Sequence, residues 1–246
     1  MAIPSKANRI RRALFVTGCA RSGTLYVAKA LRELGLRVGH EYVDVDGTVS
    51  HFFASGSIEY PVVTNKWPEG RCIHVGEHPS QFVFERTYHL MRHPLKVIDS
   101  LRWTGVSSSS LRAAGMHVPP GDAKLTRAVR YWYGWNKLCE KLTDQRVRIE
   151  DIDADPALLC AMAQVMMPRD GWKPATPTDT HHARRWWNST MLLAKPERGS
   201  KTRIPSADRR RLVQAAPPTT WEEVAQADPE YCAKVRALAE GYGYTP

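Results

Sequence analysis

The chain has 246 residues, 43% apolar and 24% charged, a balance that suits a globular protein able to bury a sizeable core. No apolar run approaches the roughly 18 residues of a membrane span, so no integral membrane segment is expected. A net charge of +10 and a pI near 9.5 call for an acidic partner, either a nucleotide carrying several negative charges or a nucleic acid.

Met1 to Arg12 carries several cations without a long apolar stretch and reads as a flexible lead-in, leaving little room for a signal peptide. Ala13 to Thr17 is a short apolar run that suits a strand buried on both faces of a parallel sheet. Gly18 to Gly23 is a tight loop. From Thr24, the residues Leu25, Ala28, Leu31 and Leu34 form one helical stripe that Gly35 can end. Strand, small-residue loop and helix N-terminus in succession make an anion site, because the first helical N–H groups lack partners and the helix dipole is positive there.

The loop has the G-x-x-x-x-G frame of a P-loop, but Thr24 stands in place of Lys and Leu25 in place of Ser or Thr. The cradle is present without the groups for Mg-ATP chemistry. Taken alone, such a frame is equally a tight turn with an exposed Arg. Leu36 to Gly39 predicts a second strand, with His40 and Glu41 at its carboxyl edge, where ligands of open parallel sheets gather. Residues 42–70 hold several chain breakers and predict irregular structure bordering the site.

Cys72 to Val75 and Thr87 to Met91 predict two more strands, with a helix over 82–84 between them. His78, His89 and His93 form no metal-like pattern. Pro94 predicts a helix start. Trp103 to Asp122, with four consecutive serines, predicts a loop beside the site. Ala123 to Leu142 predicts a helix whose Tyr131, Trp132 and Trp135 face the core, and Arg146 to Ile149 a strand closed by Glu150 and Asp151. Pro156 to Met167 predicts a short helix, and residues 168–180 are linker-like. Thr220 to Glu223 has capping-box spacing, and Asp228-Pro229 starts the last helix. Five cysteines without a C-x-x-C pair argue against a disulfide framework or thiolate zinc site and point to the reducing cytosol.

Two blocks resemble the sulfotransferases that use 3′-phosphoadenosine-5′-phosphosulfate (PAPS). Arg21-Ser22-Gly23-Thr24 after a buried strand is similar to that family's 5′-phosphosulfate loop. His89 to Leu101, in which a strand ends at Arg92, Pro94 follows and Ser100 stands eight residues beyond the Arg, is similar to its 3′-phosphate motif. Val147 to Ile152 and Gly241 to Tyr244 are weaker echoes of its R-Y-E-D-L and L-G-Y segments.

The resemblance implies one three-layer α/β domain around a central parallel sheet, P-loop NTPase-like, that moves a sulfuryl group from PAPS to an acceptor hydroxyl or amine. Ala20, Arg21, Ser22, Gly23, Thr24 and Leu25 would hold the phosphosulfate, and Arg92 and Ser100 the 3′-phosphate. Lys201 or Arg198, in a basic glycine-containing stretch, would close over it. No metal is required. The family takes the acceptor's proton with a Glu or His soon after the first helix, which makes Glu41 the first candidate, His40 the second and His51 a third. The acceptor is a small molecule or glycan. A nucleotide or small-molecule kinase is the rival enzyme reading. Nucleic-acid binding is weaker, since no RNA-binding aromatic signature is present.

Overall fold

A computed structural model describes residues 9–55, 81–119, 121–169, 171–174 and 217–245. The expected strand at Cys72 to Val75, His78, and the Arg198 and Lys201 assignments lie outside the described residues, as does most of the linker-like stretch.

Among the described residues, five parallel strands form one sheet in the order β2-β3-β1-β4-β5. They are β1 (Ile10–Gly18), β2 (Val38–His40), β3 (Gly47–Val49), β4 (Phe82–Met91) and β5 (Arg146–Arg148). The helices are α1 (Thr24–Glu33), α2 (Pro94–Thr104), α3 (Ser108–Ala113), α4 (Lys124–Glu140), α5 (Ile149–Ala154), α6 (Ala157–Ala163), α7 (Trp221–Ala227) and α8 (Pro229–Gly241).

The alternating side chains of the central strands feed two cores, which is what makes three layers. On one face Leu14 and Val16 of β1 and Leu90 of β4 meet Val27, Ala28 and Leu31 of α1 and Leu159 of α6. On the other face Met91 meets Val97 and Ile98 of α2, Trp132 and Trp135 of α4, and Val235 of α8. The two indoles are 1% and 0% exposed, so the aromatic stripe of α4 is core rather than a stacking surface. Burying each removes roughly 200 Å² from water, on the order of 5 kcal/mol. The predicted α/β class with a parallel central sheet is therefore the one observed.

Three local expectations are corrected. Phe82 to Phe84 is the first third of β4, not a helix, because this segment pairs with Ile10 to Arg12 of β1. The serine run is not all loop: Ser107 caps α3 by accepting the Ser110 N–H at 3.1 Å. Glu150 and Asp151 stand in the first turn of α5 rather than at a strand end. The capping box at Thr220 is formed, and Asp228 caps α8 ahead of Pro229. Among the described residues, no helix is long and apolar enough to cross a membrane.

Candidate functional site

β1 occupies the centre of the sheet, so the loop after it is flanked by the carboxyl ends of β3 and β4. The loop is tightly held. A Cβ on Gly18 would stand 2.2 Å from the Leu90 carbonyl oxygen, and the Ser22 N–H bonds the Cys19 carbonyl at 3.0 Å. Arg21 is left-handed at φ 74°, uncommon for a residue with a side chain. Gly23 follows at φ 95°.

α1 then begins with no side-chain cap on its first N–H groups and no acidic residue in its first turn. The positive end of the helix is left uncompensated. The Ser22 hydroxyl is buried and has no hydrogen-bond partner among the described residues. A buried hydroxyl beside uncapped N–H groups fits a bound anion. Thr24 is buried, and Ala20 and Leu25 are half-buried at the two ends of the loop.

The structure brings the second motif to this loop. Arg21 Nε donates to Ser100 Oγ at 2.8 Å, and Arg92 Nη1 donates to the Arg21 carbonyl oxygen at 3.3 Å across 71 residues of sequence. Arg92 follows the last residue of β4. His93 and Pro94 then turn the chain into α2, whose second turn carries Ser100.

Both weaker echoes reinforce this junction. Glu150 accepts the His93 N–H at 3.1 Å and the Tyr244 hydroxyl at 3.0 Å. Arg148 grips both oxygens of Asp151, at 2.8 and 2.5 Å, and donates to the Gly243 carbonyl at 2.7 Å. A Cβ on Gly23 would meet Ile149 Cδ1 at 1.9 Å, so this segment also packs on the anion loop. The sequence places Glu150 and Asp151 at a strand end and does not reveal this linkage. The two motif echoes were its only signal.

At the end of β2, His40 Nε2 lies 3.3 Å from Thr24 Oγ1 of the loop and 3.6 Å from Glu41 Oε1. Glu41 is 3% exposed. Its carboxylate accepts from Ser50 Oγ at 2.5 Å, His51 Nδ1 at 2.8 Å, the His51 N–H at 3.2 Å and the Phe52 N–H at 3.3 Å. Burial by itself would raise the pKa of Glu41. The charge and hydrogen bond of His51, the charge of His40 and the Ser50 hydrogen bond outweigh it and bring the value down to about 2. Thr24, His40, Glu41 and His51 thus form one chain of polar contacts from the anion loop to the end of β3. Ser50 and Phe52 were not singled out from sequence.

No family model matches this chain, and no curated protein matches it. A sulfotransferase domain from the curacin biosynthetic pathway is a structural match at 13% identity and a TM-score of 0.43, over 96% of this chain and 99% of that one.

Proposed function

We propose that the chain is a PAPS-dependent sulfotransferase. The observation that carries this reading is the direct bonding of the two phosphate motifs, Arg21 to Ser100 and Arg92 to the Arg21 carbonyl, next to an orphan Ser22 hydroxyl. One ligand with anionic groups at both ends matches that pairing better than a single phosphate does.

In this reading the acceptor oxygen or nitrogen bonds to sulfur while the bond from sulfur to the 5′-phosphate oxygen breaks. 3′-Phosphoadenosine 5′-phosphate leaves, and the acceptor's proton passes to a protein group. Arg21, the Ser22 and Thr24 hydroxyls and the first N–H groups of α1 offset the charge arriving on the leaving phosphate. Arg92 and Ser100 hold the 3′-phosphate through charge-assisted bonds, at roughly 1.5–3 kcal/mol each. The proton acceptor belongs to the Glu41, His40 and His51 cluster. Removing the proton as the bond to sulfur forms contributes roughly 10²–10⁴ in rate.

The test is incubation of the protein with isotopically labelled PAPS and a panel of sugars, phenols, amines and alcohols. The expected result is an acceptor whose mass rises by one SO3 group, with release of 3′-phosphoadenosine 5′-phosphate. Consumption of Mg-ATP with phosphate appearing on the acceptor, and no use of PAPS, would establish a kinase instead.

A further inference from the structure

Three side chains linked to the anion loop through Thr24 compete to be the proton acceptor, and their hydrogen bonds separate them. Glu41 already receives four donors, which favour the ionised form of its carboxylate and make it a weak base. Nε2 of His40 is committed between Thr24 Oγ1 and Glu41 Oε1.

His51 differs. Its Nδ1 lies 2.8 Å from Glu41 Oε1. An ionised carboxylate can only accept, so Nδ1 carries the proton and Nε2 of the neutral ring carries the lone pair. Nε2 makes no hydrogen bond among the described residues, and the side chain keeps 17% of its surface exposed. The ring is also steadied by its neighbours, with the Phe52 ring centroid at 3.8 Å and that of Trp135 at 5.7 Å. Orientation and tautomer are both fixed while one ring nitrogen stays uncommitted, which is what a general base requires.

We propose that His51 is the general base of the transfer and that Glu41 is its positioning residue, with His40 serving the Thr24 side of the loop. This assignment rests on the sulfuryl-transfer reading. As the acceptor oxygen bonds to sulfur, its proton moves to His51 Nε2 and the ring becomes cationic. Glu41 faces that charge from Nδ1, and the proton then passes to water. His40 is the other titratable group on the same carboxylate oxygen. Phe52 and Trp135 present no ionisable group.

His51→Asn is the discriminating variant, because its amide keeps an N–H donor for Glu41 and places nothing where Nε2 was. Calorimetry should find 3′-phosphoadenosine 5′-phosphate binding within about twofold of the unaltered protein. Transfer from labelled PAPS to the same acceptor panel should fall by roughly 10²–10⁴ and recover in part with added imidazole. Nitrogen NMR of labelled histidine should show the His51 proton on Nδ1. Undiminished transfer by His51→Asn with nucleotide binding intact, or a His51 proton on Nε2, overturns this assignment alone. Failure of the unaltered protein to bind the nucleotide overturns the sulfuryl-transfer reading and this assignment with it.

Discussion

Gly23 is glycine for two separate reasons, one in its own backbone and one in its neighbour. Its φ of 95° is strained for any residue with a Cβ, and that Cβ would stand 1.9 Å from Ile149 Cδ1. Gly23→Ala should cost about 2–4 kcal/mol, read as a lower urea midpoint. Ile149→Val, which removes Cδ1, should restore part of that loss in the double variant and leave the φ penalty in place. An unchanged midpoint in Gly23→Ala would show that the loop is not held as described. Arg21 at φ 74° carries a similar backbone strain, but its guanidinium bonds Ser100 and its carbonyl receives Arg92. Strain held at such a junction is consistent with a functional role for the loop.

Where β4 packs on α4, a neutral histidine is built into the interior. His89 Nε2 lies 2.9 Å from Asn136 Oδ1, and the Asn136 amide nitrogen donates to the Trp132 carbonyl at 2.7 Å. That second bond orients the amide, so Nε2 is the donor. Burial lowers the His89 pKa to about 4, against the opposing pull of the Asn136 hydrogen bond. The unfolded chain therefore binds a proton that the folded one refuses. Stability is full above about pH 6.5 and falls as the pH drops toward 4, by about 3 kcal/mol in all. Urea unfolding between about pH 4 and 7 should show this slope, and His89→Gln should flatten it. An equal slope in both proteins would contradict the neutral, buried state.

Elements with strong periodicity or sharp punctuation were legible in the sequence: β1 with α1, Pro94 opening α2, the aromatic stripe of α4, and the two capped C-terminal helices. β3 was not, because it is three residues long and starts at Gly47 after Asp44 and Asp46, a pattern that reads as a turn. Its position between β2 and β1 is what carries Ser50 and His51 onto Glu41. The segments holding Arg21 and Arg92 are therefore readable from local spacing, whereas the Glu41–His51 pairing depends on a strand the sequence hides.

At the scale of the molecule, the five described parallel strands end on one side, and the central one carries the Gly18 to Gly23 loop. Its neighbours deliver Ser50 and His51 from β3 and Arg92 from β4, so each part of the site comes from an adjacent strand end. A net charge of +10 favours approach of a multiply charged anion, but it does not distinguish one nucleotide from another. Arg92 with Ser100 is the feature that would, since both are assigned to a phosphate on the ribose 3′ position. Calorimetric comparison of 3′-phosphoadenosine 5′-phosphate with AMP tests this most directly. The 3′-phosphorylated nucleotide should bind roughly a hundredfold more tightly, equivalent to about 3 kcal/mol, and Arg92→Ala should lose most of that preference. Equal affinity for the two nucleotides in the unaltered protein would contradict the pairing of Arg92 and Ser100 with a 3′-phosphate.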